Sequence, residues 1–317
     1  MITLDLSKKD FLRDVMGHYM QELGCKNKKV LVVNADLSGT CRNRDFAVEF
    51  PTRTFNLGIA EQNMVSFAAG LAHEGFIPYA FSMAPFITMR ACEQCRTDVA
   101  YANLNVRLIG TYAGVSGGIS GATHWSIEDV AIMCGIPQMT VLEPCDAIEA
   151  QKMLEETLSY NGPIYIRSSV EPVIRIYNAD YDYKIGKATE ILHGDDGAFI
   201  CAGITVKYAI EAAKNIAFRT RKSVRVIDMH TIKPLDKETV LDAAKTGNII
   251  VAQDHNVLGG LGTYIGQFLA EKGIGIHFAI AGIPDKFVAM AHAPYLYHSF
   301  GYDADGLEKM MLEMLGE

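Results

Sequence analysis

Glu61 stands where a carboxylate can meet a ligand. It lies in Phe55-Asn56-Leu57-Gly58-Ile59-Ala60-Glu61-Gln62-Asn63-Met64-Val65, where a strand ends, Gly58 makes the turn and a helix opens with Glu61 in its first turn. A first-turn Glu complements the helix dipole, and for an arbitrary helix that is reason enough for it. Here the residues from Met64 to Leu71 are nearly all apolar or small, so the helix is buried and its mouth faces an internal cleft. A carboxyl group so placed can share a proton with a ligand nitrogen. His124 follows a glycine-rich loop holding Gly117, Gly118 and Gly121. No Gly-Lys-Ser/Thr comes after those glycines, so they do not form a P-loop. Cys92-Glu93-Gln94-Cys95 has redox or metal spacing, but no second Cys pair or nearby His accompanies it. His255-Asn256-Val257-Leu258-Gly259-Gly260 reads as a tight strand-to-helix connection.

The elements that must position these residues alternate. Helices are expected at 8–23, 59–73, 86–101, 126–133 and 146–159, and strands at 30–33, 77–81, 106–111, 139–142 and 164–167. Strands that are almost wholly apolar, separated by helices, argue for a mostly parallel sheet covered on both faces. Residues 171–187 are rich in Tyr, Asp and Pro and lack a period, which reads as a linker. The pattern then restarts, with strands at 198–202, 224–227, 249–252 and 276–279 and helices at 206–218, 237–245, 261–271 and 305–315. The expected organisation is an α/β unit over 1–171, a linker over 172–187 and a smaller α/β unit over 188–317, each a mostly parallel sheet flanked by helices.

At 317 residues the chain can bury two cores, and 49% hydrophobic with 21% charged residues is a globular composition. The net charge of −8 and the lack of a long Lys/Arg run speak against a nucleic-acid surface. No segment nears the apolar length of a membrane span, and the N-terminus has no signal core. Seven scattered cysteines, an odd number, fit a reducing cytosol better than a disulfide framework.

Gly58-Ile59-Ala60-Glu61-Gln62-Asn63-Met64 resembles the pyrimidine-domain motif of the transketolase family. The resemblance extends to Asn34-Ala35-Asp36-Leu37-Ser38, which is similar to the element beside the cofactor. It also extends to Phe81-Ser82-Met83-Ala84-Pro85-Phe86 with Arg90, similar to the segment that packs the pyrimidine ring. Gly121-Ala122-Thr123-His124-Trp125-Ser126-Ile127-Glu128-Asp129 resembles the Gly-Pro-Thr-His segment. Val226-Ile227-Asp228-Met229-His230-Thr231-Ile232-Lys233-Pro234-Leu235 resembles part of the family's C-terminal domain. Four motifs in order cover the first unit. The resemblance implies that Glu61 contacts the aminopyrimidine of thiamine diphosphate and favours its imino tautomer. The exocyclic nitrogen can then generate the nucleophilic ylide. It further implies cofactor contacts from Asp36, Leu37, Met83, Phe86 and Arg90, and a substrate contact from His124.

The Gly-Asp-Gly and downstream Asn that hold the diphosphate's divalent cation in such enzymes are missing; His193-Gly194-Asp195-Asp196-Gly197 is the nearest approach. The implied arrangement is a split enzyme. A separate N-terminal subunit would hold Mg2+ and the diphosphate, in an α2β2 assembly acting on small sugars. Where phosphosugar relatives carry a phosphate-site cluster, this chain has Tyr112 for a usual His, Ser120 for a usual acid and Val170 for a usual Arg. That leaves a donor without phosphate, a different anion, or a charge from elsewhere such as Arg167. The rival readings are the β subunit of a 2-oxo-acid dehydrogenase first component, a 1-deoxyxylulose-phosphate-synthase-like chain, and a non-catalytic regulatory partner.

Overall fold

The computed structural model describes residues 2–287 and 289–317. The strands, in chain order, are β1 (Ile2–Phe11), β2 (Val30–Asn34), β3 (Thr54–Asn56), β4 (Ile77–Met83), β5 (Arg107–Thr111), β6 (Thr140–Leu142) and β7 (Ile164–Ser168). They continue with β8 (Pro172–Tyr177), β9 (Thr189–Leu192), β10 (Gly197–Cys201), β11 (Val224–Asp228), β12 (Thr231–Lys233), β13 (Asn248–Asn256) and β14 (His277–Ile283). Helices connect most of them.

Side chains of a strand alternate between faces, so a strand covered on both sides must be apolar throughout. In β2, Val30 and Val32 enter one apolar cluster and Val33 the other; in β4, Tyr79 and Phe81 oppose Ala80; in β5, Ile109 opposes Leu108. The first sheet has the order β12-β6-β7-β5-β4-β2-β3 and is parallel but for β12 against β6. The second has the order β14-β13-β10-β11-β9, parallel but for β9 against β11. The expected α/β class with two mostly parallel sheets is the observed one.

The differences from expectation come from pairing across long separations. Ile2–Phe11 is a strand, so the first helix begins only at Leu12 and runs to Lys26. Its partner is β8, within the segment read from its composition as a linker. The antiparallel pairing supplies hydrogen bonds that no local period announces. Likewise β12 crosses from the second half to complete the first sheet, setting Thr231 against Leu142. The expected helix 86–101 is broken into a π-helix over Phe86–Arg90, an α-turn at Cys92–Gln94 and a second π-helix over Cys95–Ala100. Cys92 and Cys95 are free thiols in these turns.

Candidate active site

Register places the site. Asn34 of β2 is level with Asn56 of β3 and Phe81 of β4, Met83 is level with Thr111 of β5, and Thr111 with Ser168 of β7. These are the carboxyl ends of parallel strands, the edge at which ligands bind in open α/β sheets. Asp36, Glu61, Met83 and Tyr112 all lie at or just beyond this edge.

Glu61 opens the Glu61–His73 helix, and its side chain is 1% exposed. Arg90 Nη1 donates to Glu61 Oε2 at 2.9 Å. The other oxygen, Oε1, is buried and accepts from no group among the described residues. A buried carboxylate oxygen without a donor is costly, and Oε1 can take one from a ligand. Arg90 also lies over the Phe86 ring, with Cζ 4.2 Å from the centroid. The π-helix puts these two residues, four apart, on one face; such wide turns recur at functional sites. Phe86 in turn meets His124 edge to face, with centroids 5.5 Å apart. His124 is half-buried, and its Nδ1 is 2.8 Å from Thr123 Oγ1. Glu61, Arg90, Phe86 and His124 thus form a continuous chain of contacts, although His124 comes from a loop remote in sequence.

Asp36 is exposed and has φ 60°, and Leu37 beside it packs on the core. Sequence reasoning missed the residue that holds this turn. Asn56 Oδ1 accepts from the backbone N–H groups of Asp36 and Gly58, and its Nδ2 donates to Asp36 Oδ1. One amide therefore ties the Asp36 turn to the turn that launches Glu61. Its position two residues before Gly58 was the available signal. Met83 is half-buried at the end of β4. Tyr112 has φ 62°, and its hydroxyl accepts from Arg13 Nη1 at 3.2 Å. Arg13 was also missed, since within a helix nothing local distinguishes it. Ser120 is exposed on the Gly118–Ser120 turn, and Val170 is half-buried.

Arg167, offered by the sequence as a possible anion partner, is committed elsewhere. It is fully buried, paired bidentately to Asp129 and bonded to Glu143 Oε1 and the Asp254 carbonyl. Asp254 lies beside it with its carboxyl pushed up to about 7 by burial. Burial also holds His255 down at about 4. His255 thus sits in a buried polar seam between the two units, beside the ion pairs of Arg167. Among the described residues no helix is long and apolar enough to cross a membrane.

The pyrimidine-binding domain of transketolase matches residues 11–173, and the transketolase C-terminal domain matches residues 186–307. The chain belongs to the transketolase family. Within the family it aligns nearly end to end with chains named as separate subunits. It is 35% identical over 298 residues to the 6-deoxy-6-sulfo-D-fructose transketolase subunit of Clostridium sp. (strain MSTE9), covering 94% of this chain and 92% of that one. It is 36% identical over 296 residues to an apulose-4-phosphate transketolase subunit of Phocaeicola vulgatus, covering 93% and 94%. A split-gene transketolase solved as an inactive β4 tetramer superposes with a TM-score of 0.87 at 34% identity, covering 98% of this chain and 99% of that one.

Proposed function

We propose that this chain is the cofactor-activating subunit of a two-chain, thiamine-diphosphate-dependent transketolase that moves a two-carbon ketol unit from a ketose to an aldose. The observation that carries the reading is Glu61, whose Oε1 is buried and without a donor while Oε2 is held by Arg90. The residues fit the cofactor's aminopyrimidine: Oε1 for a ring nitrogen, Phe86 for the ring, and the Asp36–Leu37 turn and Met83 for its surroundings. Thiamine diphosphate, when bound, supplies the nucleophilic carbon that takes up the ketol unit. Glu61 holds the proton at Oε1, Arg90 fixes the carboxyl's orientation, and His124 offers its ring to the substrate oxygens near the reacting carbon.

In this reading residues 1–171 form the pyrimidine-binding unit and 188–317 the C-terminal unit, with 172–187 between them. The Gly-Asp-Gly and Asn set of cation ligands is not in this sequence. Mg2+ and the diphosphate are therefore assigned to an N-terminal subunit, in an α2β2 assembly of the cytosol. The two relatives are named for a sulfonated and a phosphorylated sugar. We assign this chain an anionic donor too, with Arg13, whose Nε is paired with Asp14 and whose Nη1 reaches Tyr112, as the cation beside the site where Val170 brings none.

The test is Glu61→Gln in the reconstituted pair. Loss of the proton-sharing carboxyl lowers kcat by about 10²–10⁴-fold, with assembly unchanged by sedimentation. A wild-type rate in that variant would sink the assignment.

A further inference from the structure

The loop that carries Ser120 and His124 leaves the first sheet at Tyr112 and is pinched shut by its own backbone. Gly114 N–H donates to the Ser126 carbonyl at 2.8 Å, and Ser126 N–H returns to the Gly114 carbonyl at 3.3 Å. Both stems of this loop are held by three consecutive residues of the second unit, at the end of β13. At the incoming stem, Val115 N–H donates to Asp254 Oδ1 at 3.0 Å. At the outgoing stem, Asn256 N–H donates to the Ile127 carbonyl at 2.9 Å, and Ala131 N–H reaches His255 Nε2 at 3.5 Å.

Asp254 is built into this place. It is 2% exposed, and its Oδ1 accepts from Tyr302 Oη at 3.0 Å and its Oδ2 from Tyr297 Oη at 3.3 Å. Its backbone carbonyl accepts from Arg167. The approach is so close that a Cβ on Gly114, which has φ 64°, would stand 2.1 Å from the Asp254 carboxyl carbon. Only glycine admits the carboxylate beneath the loop. A buried carboxylate that accepts from a loop N–H fixes that loop's height above the sheet, because letting go leaves the Val115 N–H without its acceptor in a dry setting.

We propose that Asp254 is the positioning residue of the His124 loop, so that the second unit sets where the substrate-facing histidine stands. The proposal rests on the reading of His124 as a substrate contact. It goes beyond that reading by assigning part of the site's geometry to the C-terminal unit.

The experiment compares Asp254→Ala and Asp254→Asn with the wild type in two measurements. The first is amide hydrogen exchange of this chain alone. The alanine variant should exchange faster within residues 113–126 and unchanged in the Glu61–His73 helix, and the asparagine variant, which keeps an acceptor, should resemble the wild type. The second is steady-state kinetics of the pair. Alanine should lower kcat/KM by about 10-fold or more, as expected for a displaced group, with half-saturation by thiamine diphosphate unchanged. Asparagine should restore most of the loss. Exchange that is unchanged at 113–126, or that rises equally throughout the chain, overturns the proposal. So does an alanine variant with wild-type kcat/KM. If the alanine variant does not fold, Tyr302→Phe removes one donor from the same carboxylate and should speed exchange at 113–126 alone; no change there also overturns it. A wild-type pair without ketol transfer would refute the enzymatic reading and leave the exchange measurement to decide on Asp254.

Discussion

A carboxylate with one oxygen tied and the other bare divides its labour in the proposed reading: Arg90 holds Oε2 of Glu61, and Oε1 is the oxygen left for the cofactor. The Glu and the His were legible in the sequence because each sits in a motif with a fixed turn before it. Asn56 and Arg13 were not, because their work depends on partners 20 and 99 residues away. Arg13 gives this scale its prediction. A charge-assisted hydrogen bond to a substrate anion contributes about 1.5–3 kcal/mol. Arg13→Met should therefore raise KM for an anionic donor by about 10–100-fold and leave kcat nearly unchanged, measured with sulfonated or phosphorylated ketoses. An unchanged KM would place the anion elsewhere.

At the scale of elements, the helices and central strands follow their apolar patterns to within a few residues. What escaped were β1, β8, β9 and β12, short or aperiodic strands whose formation depends on a distant partner, the short helices Arg44–Glu49 and Ala293–Ser299, and the π-turns that interrupt the expected helix 86–101. A strand such as Thr231–Lys233 has too few residues to show alternation. A π-turn leaves the apolar pattern intact while widening the coil. Asp146 shows how one residue can join elements. It caps the Ala147–Glu156 helix by accepting from Glu149 N–H at 2.7 Å, and its other oxygen accepts the N–H groups of Ile176 and Tyr177 in β8, also at 2.7 Å. Asp146→Ala should cost about 2–4 kcal/mol, more than an ordinary cap, because buried strand donors lose their acceptor as well. Urea unfolding of the chain measures it; a loss of only a few tenths of a kcal/mol would mean that the strand donors find other partners.

At the scale of the molecule, both apolar clusters draw side chains from both sheets, so the two units share their cores. A buried acidic cluster lies across the same seam. The ligating atoms of Cys145, Glu149 and Asp228 all lie within 4.8 Å of one another. Asp228 Oδ2 accepts from the Cys145 thiol and from Tyr177 Oη, and Glu149 Oε1 accepts from Tyr181 Oη. Burial pushes the Asp228 carboxyl up to about 7, and burial together with the neighbouring Asp228 and Asp146 holds Glu149 well above its ordinary value. A carboxyl that keeps its proton to pH about 7 in the fold, but loses it near pH ~4 when unfolded, adds stability that is complete at low pH and fades as pH rises through that window. His230, held down at about 3 by burial, acts in the opposite sense, losing stability as pH falls below ~6.5. The comparison must therefore be a difference. The stability of Asp228→Asn minus that of the wild type should climb between pH about 4 and about 7 and level off above. A difference that stays flat across that range would show that Asp228 carries no proton in the fold.

The antiparallel pairing of β12 with β6 has a consequence for anyone who would cut this chain. A fragment ending at Tyr177 keeps six of the seven strands of the first sheet, yet it bares the N–H and C=O groups of Thr140–Leu142 along an apolar edge. Such an edge is a template for the next molecule. The three residues of β12 thus serve as a cover against self-association, and a separately expressed first half should precipitate or pair edge to edge where the whole chain stays dispersed.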